Sequence, residues 1–334
     1  MIGWGSKADA PLGREQPQRV SAEHWLRPEE LASLSSLELR ARYVVEGFLQ
    51  GLHRSPFVGF SVEFSSHRRY GPGDDLRHVN WKLFARSRKL YVKEFDAETN
   101  LNLYLLVDCS SSMQCKLGGA LTKFEYAATL AAALASLASQ QRDAIAMGLI
   151  ADGITAYLEP SAKPGRWEDC VEMLAASSSG AGPRDASSRD AGRLTPVSGK
   201  SGASLAKGLE QAAALARHRG IVIVLSDFID ETSDIARGLQ RLRHRGHEVI
   251  AFHILDPWER QLPTEGRIRF ADLESPMEIT TDVESIRSQY GARIDTWCAE
   301  LADVCLHQSI DRLEVLTDRP PTDALKDYLV LRTR

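Results

Sequence analysis

The sequence lacks the features that mark secreted, membrane-spanning and metal-cluster proteins. Its five cysteines are an odd number without Cys-x-x-Cys spacing, which argues against a disulfide framework or a zinc cluster and favours a reducing compartment. No apolar run reaches the roughly 18 residues that a transmembrane helix needs. The N-terminus is polar and is interrupted by glycine and proline, unlike a signal peptide. We therefore expect a cytoplasmic protein.

A large excess of one charge is also missing. The chain has 41 Lys and Arg residues against 45 Asp and Glu residues, so its net charge of -4 gives no indication of nucleic-acid binding. The length of 334 residues is compatible with about two domains. Hydrophobic residues make up 43% of the chain, which excludes a wholly disordered protein.

Hydrophobic periodicity divides the chain into four regions. Residues 1–26 are predicted to be a flexible tail, and residues 27–100 an N-terminal helix followed by a β-rich flanking region. Over residues 101–256, short apolar runs alternate with helical stretches, which predicts an α/β domain with a doubly wound, mostly parallel sheet. A polar stretch at 177–202 is predicted to be a mobile loop in this domain. Residues 257–334 are expected to pack on the core or to join a small β-rich flanking subdomain.

Polar residues with metal-ligand chemistry follow two of the apolar runs. The first run is followed by Asp108, Ser110 and Ser112, and a later run ends in Asp227. In a doubly wound sheet, ligands bind outside the carboxyl ends of the strands, and neighbouring strands lie about 5 Å apart. Carboxylate and hydroxyl oxygens suit Mg²⁺ or Mn²⁺. The sequence therefore predicts a metal site that these four residues share.

The same residues allow a second interpretation. Asp and Ser residues after a strand are common helix caps and turn formers, so the Asp-x-Ser-x-Ser pattern alone does not separate capping from metal binding. The matching position of Asp227 favours a metal site or its degenerate remnant.

The Asp-x-Ser-x-Ser pattern, followed by Met113, resembles the metal-ion-dependent adhesion site of von Willebrand factor A domains. More closely, the chain resembles the family called domain of unknown function 58, whose members contain such a domain. This resemblance extends from about residue 40 to the C-terminus. The further residues that carry it are Glu63-Phe64, Arg69 to Asp74, Arg77, Asn80-Trp81, Ala85-Arg86, Val92 to Glu94, Ser226 to Phe228, His253 to Pro257, Asp272, Glu274, Tyr290 and Thr317-Asp318.

The resemblance implies a binding module and not an enzyme. An ion held by few charged ligands keeps an open position, which accepts an Asp or Glu carboxylate from a protein partner. MoxR-type AAA+ ATPases are the partners that the resemblance implies. Such sites usually also contain a threonine from a Gly-Gly-Thr loop, but Ala203 occupies that position here. Its neighbour Ser204 is the doubtful fifth ligand, so the expected affinity for Mg²⁺ is weakened.

The sequence is also compatible with two other functions. A structural scaffold with a degenerate metal site agrees with the presence of Ala203. A Mg²⁺-dependent phosphohydrolase of the haloacid dehalogenase type typically has Asp-x-Asp, with the second acid as general acid and base. Here that position is Ser110, which cannot perform this role at neutral pH.

A basic segment lies in the flanking region. Residues 67–94 contain eight Lys or Arg residues, three acidic residues and interspersed aromatic residues. This pattern occurs in nucleic-acid-binding surfaces, but a solvated β-rich subdomain with Arg–Asp pairs explains it better, and a contact with an acidic partner surface is a third interpretation. The candidate partner-binding residues are Arg69, Arg77, Trp81 and Arg86. We expect no nucleic-acid ligand.

Overall fold

A computed structural model describes residues 26–52, 67–69, 91–93, 101–178, 204–263, 265–271 and 278–332. Its helices are α1 (Pro28–Ser33), α2 (Leu37–Leu52), α3 (Lys123–Gln140), α4 (Arg166–Ser178), α5 (Leu205–Leu215), α6 (Thr232–His244), α7 (Pro257–Arg260), α8 (Val283–His307) and α9 (Pro321–Arg332). Its strands are β1 (His67–Arg69), β2 (Tyr91–Lys93), β3 (Asn102–Asp108), β4 (Ala144–Ala151), β5 (Gly153–Ser161), β6 (Ile221–Ser226), β7 (Glu248–Leu255), β8 (Arg267–Ala271), β9 (Glu278–Asp282) and β10 (Asp311–Leu316).

The main sheet has six strands in the order β10-β7-β6-β3-β4-β5. All neighbours are parallel except β4 and β5, which are antiparallel. The central strands are buried on both faces, because α2, α3, α4 and α9 cover one face while α5, α6 and α8 cover the other. This arrangement confirms the predicted α/β class with a mostly parallel, doubly wound sheet.

The helix α3 shows how the sequence produces this packing. Its first turn is closed by a capping box, in which the Thr122 hydroxyl accepts from the Glu125 amide and the Glu125 carboxylate accepts from the Thr122 amide. Most of the helix is buried, because it lies between the sheet and α2. Its many alanines allow the sheet on one side and α2 on the other to approach the helix closely.

The sheet extends beyond the predicted domain boundary at residue 256. The C-terminal strand β10 pairs in parallel with β7 and forms one edge of the main sheet. The opposite edge, β5, is antiparallel and was not predicted, because Gly153–Ser161 lacks a continuous apolar run. Helix α9 packs against α2, so the two ends of the described chain meet on one face of the sheet.

The remaining strands form two separate two-stranded sheets, β1 with β2 and β8 with β9. A single β-rich flanking subdomain stays a prediction, because most of residues 53–100 lie outside the described part of the chain. The tail 1–26 also lies outside it, except for its last residue. The loop predicted at 177–202 begins later, since α4 continues to Ser178, and the rest of that stretch is not described. None of the described helices combines the length and the apolarity needed to span a bilayer.

Candidate metal-binding site

The central strands β3 and β6 bring the predicted site residues together at the carboxyl end of the sheet, where these parallel strands finish. They are parallel neighbours with Val107 opposite Leu225, so their carboxyl ends lie side by side. The side chain of Ser226, the last residue of β6, donates a hydrogen bond to Oδ2 of Asp108 at 2.5 Å. Asp108 and Asp227 are both buried. The structure thus places the two predicted acids close together.

The two serines of the motif also face each other. The Ser110 amide donates to Oδ1 of Asp108 at 2.9 Å, which tightens the turn after β3. The hydroxyl oxygens of Ser110 and Ser112 are 3.1 Å apart. Adjacent ligands of an octahedral Mg²⁺ ion with bonds of about 2.1 Å lie about 3 Å apart, so this spacing fits two neighbouring ligands of one ion. The buried side chain of Met113 anchors the same turn in the core.

Asp108 is buried beside a second acid, where its negative charge is poorly stabilised. Burial and, after it, the nearby negative charge of Asp227 raise the pKa of Asp108 to about 6, against the hydrogen bonds from Ser226 and Ser110. A divalent cation beside this carboxylate would offset both its burial and the repulsion from Asp227. The side chains present therefore fit a hard cation such as Mg²⁺.

Sequence reasoning missed a buried ion pair beside this site. The ammonium of Lys123 lies 2.7 Å from Oδ2 of Asp227 and 2.5 Å from Oε1 of Glu259. Burial lowers the pKa of Lys123, but the charges of Asp227 and Glu259 outweigh it and raise the pKa above its usual value. Burial raises the pKa of Glu259, while Lys123 opposes that shift. The lysine is therefore a permanent cation in contact with one of the predicted ligands.

Asp256, at the end of β7, holds the loop that follows the motif. Its carboxylate accepts hydrogen bonds from the amides of Leu117, Gly118 and Gly119 at 2.8 to 3.1 Å. A Cβ atom on Gly118 would lie only 2.5 Å from Cδ1 of Trp258, so the close packing of this indole requires glycine. The Asp256-Pro257 pair before a short helix was the available sequence signal for this contact.

Exposed apolar side chains come from the segments that follow three of the strands at this end of the sheet. Leu117 follows β3, Ile229 follows β6 and Trp258 follows β7, and their exposed fractions are 47%, 57% and 42%. Ile229 comes after Phe228, a buried residue with a positive φ of 54°, and this left-handed turn separates the buried phenylalanine from the exposed isoleucine. The carboxyl end of the sheet therefore presents apolar surface as well as the candidate site.

Ser204, the doubtful fifth ligand, lies at the start of a helix. It is the N-cap of α5, where its hydroxyl accepts from the Lys207 amide at 3.4 Å. The same hydroxyl donates to Oδ2 of Asp230 at 3.4 Å. These contacts are those of a cap, and ligation of a metal by Ser204 stays a prediction.

Of the four predicted partner-binding residues of the basic segment, one is among the described residues. Arg69 is the last residue of β1, a strand that pairs with β2. Arg77, Trp81 and Arg86 lie outside the described residues, as does Ala203.

A second group of possible metal ligands lies on the β7–β10 side of the sheet. His253, Cys298 and Glu314 have ligand atoms within 4.8 Å of one another. However, Nη2 of Arg312 lies 2.8 Å from both Nδ1 of His253 and Oε2 of Glu314, and Arg260 binds the other oxygen of Glu314. Guanidinium groups therefore already neutralise this carboxylate, and the group does not fit a cation as well as the Asp108 site does.

The chain is 28% identical over 294 residues to uncharacterized proteins of Mycobacterium bovis (strain ATCC BAA-935 / AF2122/97) and Mycobacterium tuberculosis (strain ATCC 25618 / H37Rv), covering 87% of this chain and 86% of each relative. Among solved structures, it is similar to BatB from Bacteroides thetaiotaomicron, with 15% identity and a TM-score of 0.44 over 69% of this chain and 98% of that one. It is also similar to the SpRpn10 VWA domain, with 13% identity and a TM-score of 0.36 over 69% of this chain and 95% of that one.

The family described as "Protein of unknown function DUF58" matches residues 66–296. This is well over half of the sequence, and it agrees with the resemblance carried by the Asp108 motif and the residues around it. The protein therefore belongs to the DUF58 family.

Proposed function

We propose that this protein is a non-catalytic protein-interaction module whose Asp108 site binds Mg²⁺ or Mn²⁺ and, through the ion, a carboxylate of a partner. The observation that carries the proposal is the meeting of Asp108, Ser110, Ser112 and Asp227 at one edge of the sheet, with the two serine hydroxyls 3.1 Å apart. Hydroxyl and carboxylate oxygens at such spacing are the ligands that Mg²⁺ prefers, and water completes its sphere.

The charges around the site support a role in carboxylate recognition. Asp108, Asp227 and Glu259 are acidic, but Lys123 offsets one of the three negative charges. Mg²⁺ bound beside so few uncompensated charges stays a good Lewis acid and attracts a further carboxylate. An Asp or Glu side chain of the partner would supply it.

The apolar side chains at the same edge support a protein partner over a small ion alone. Trp258, Ile229 and Leu117 offer exposed contact area, and aromatic side chains are often the energetic anchors of interfaces. We propose a MoxR-type AAA+ ATPase as the partner, acting with this protein in complex assembly or maturation in the cytoplasm.

Calorimetric titration of Mg²⁺ and Mn²⁺ tests the metal site. Wild type is compared with Asp108→Asn and with Asp303→Asn, a control at an exposed acidic residue of α8. We expect saturable binding in wild type and in the control, and loss of binding in Asp108→Asn. Equal binding in all three proteins would contradict the proposal.

Capture of a purified MoxR-type ATPase with and without EDTA tests the interaction. We expect capture only with Mg²⁺, and weaker capture by Trp258→Ala, which leaves the predicted ligands in place. Capture that is unchanged in EDTA would favour the scaffold function instead. That alternative has one observation in its favour, since Lys123 already pairs with Asp227.

Phosphatase activity that Asp108→Asn abolishes would overturn the non-catalytic assignment.

A further inference from the structure

Lys123 is an unusual residue at the place where it lies. It is the first residue of α3 and is completely buried, although lysine is among the residues least often buried. A cation at a helix N-terminus is opposed by the helix macrodipole, which favours negative charge there. Both effects disfavour an ammonium at this position, so its two contacts with carboxylates must compensate for them.

The position of the ammonium bears directly on the proposed ion. Oδ2 of Asp227 accepts from Lys123 at 2.7 Å, and Oδ1 accepts from the Ile229 amide at 3.2 Å. Both oxygens of Asp227 therefore have a donor before any metal binds. Asp108 has two donors as well, but both are neutral groups, the Ser110 amide and the Ser226 hydroxyl.

We propose that Lys123 sets the metal affinity of the site as an internal cation that competes with Mg²⁺ for the negative charge of Asp227. The inference rests on the proposed function and adds to it the residue that keeps the ion weakly held in the absence of a partner carboxylate. The partner's acid then supplies the negative charge that Lys123 has withdrawn. Metal binding and partner binding become interdependent for this reason.

Glu259 is the second part of this arrangement. Its carboxylate contacts the same ammonium from α7, so Lys123 keeps a counter-ion when Asp227 turns to the metal. Removing the charge of Glu259 leaves Asp227 as the only described carboxylate in a salt bridge with Lys123. Mg²⁺ binding should therefore become weaker.

The test measures Mg²⁺ affinity by calorimetry in wild type, Lys123→Met, Glu259→Gln and Lys207→Met. Methionine keeps the length of the lysine side chain without its charge. The control Lys207 pairs with Asp152 at 3.1 Å, but its side chain is largely exposed. We expect Lys123→Met to bind Mg²⁺ about tenfold more tightly or better, since a unit charge a few ångströms away is removed from a buried site. Glu259→Gln should bind several-fold more weakly, and Lys207→Met should match wild type.

The direction of the change separates this role from a purely structural one. If Lys123 only holds the fold together, Lys123→Met would bind Mg²⁺ more weakly as Asp227 loses its position, and Glu259→Gln would match wild type. Either result would overturn the inference. Should Lys123→Met fail to fold, Glu259→Gln decides the matter alone, because Glu259 is partly exposed and the pair of Lys123 with Asp227 remains.

The outcomes also separate this inference from the proposed function. Wild-type binding that Asp108→Asn abolishes, with unchanged affinity in Lys123→Met, would overturn the role of Lys123 and leave the metal site intact. Binding by Lys123→Met but not by wild type would support the role of Lys123 and overturn metal dependence in the natural protein.

Discussion

Two clusters of charged side chains lie on either side of the short helix α7, and they differ in how their charges balance. Glu259 joins the Asp108 cluster, in which three acids face one lysine. The next residue, Arg260, joins the Glu314 cluster, in which Arg260 and Arg312 meet Glu314 and Asp295. The first cluster has an excess of negative charge that a divalent cation would offset. The second is already neutral, although three of its residues have ligand atoms close together. Close ligand atoms alone therefore leave the second cluster with no excess charge for a cation to offset.

We expect the largest loss of stability when the ion pairs of the Asp108 cluster are broken. Lys123→Met leaves the buried Asp227 and the partly exposed Glu259 without their counter-ion, which should lower the free energy of unfolding by about 3 to 5 kcal/mol. Urea unfolding in EDTA measures this loss, and added Mg²⁺ should restore part of it. The exposed pair at Lys207 should lose less than about 1 kcal/mol on Lys207→Met. A similar small loss at both sites would contradict the comparison.

Arg312→Met tests the balanced cluster. It removes the donor to Nδ1 of His253 and one partner of Glu314, so we expect a loss of about 3 kcal/mol in the free energy of unfolding. Neither Mg²⁺ nor Zn²⁺ should change the stability of wild type through this cluster. A Zn²⁺-dependent rise in melting temperature that His253→Gln removes would show that this cluster is a metal site after all.

The pH dependence of stability offers a smaller effect in the same cluster. Burial, together with the charge of Arg312, lowers the pKa of His253 to about 3. Between that value and the ordinary pKa of about 6.5, only the unfolded chain binds the proton, so His253 makes stability fall as the pH falls. Urea unfolding of wild type and His253→Gln at pH 7 and pH 4.5 measures this difference. We expect wild type to lose about 2 kcal/mol more than the variant over this interval, whereas equal losses would exclude a neutral buried histidine.

The smallest expected loss of stability is at Ser204, where a substitution separates a role as helix cap from a role as metal ligand. Ser204→Ala removes the N-cap of α5 and should lower the free energy of unfolding by about 1 kcal/mol. Calorimetry should show Mg²⁺ affinity within about twofold of wild type, whereas Ser110→Ala should weaken it clearly. Loss of Mg²⁺ binding in Ser204→Ala would make Ser204 the fifth ligand that the sequence left in doubt.

Much of the fold was predictable because it depends on local patterns. Continuous apolar runs such as Ile221 to Leu225 predict buried parallel strands, and the strand β6 contains that run. The edge strand β5 could not be predicted in the same way, because it is only partly buried and pairs antiparallel with its neighbour. The membership of β10 in the main sheet was also missed, since its pairing with β7 joins segments that are far apart in sequence.

The sequence by itself determined that acids and hydroxyls follow the buried strands β3 and β6, because strand ends and turns are encoded locally. Only the tertiary structure decided which charges meet. Lys123 lies 104 residues from Asp227 and 136 from Glu259 along the chain, and at a helix start it resembles any surface lysine. Its burial follows from the order β7-β6-β3, which brings the ends of three strands and the start of α3 together. Pairing between distant charges depends on that order, and no local pattern specifies it.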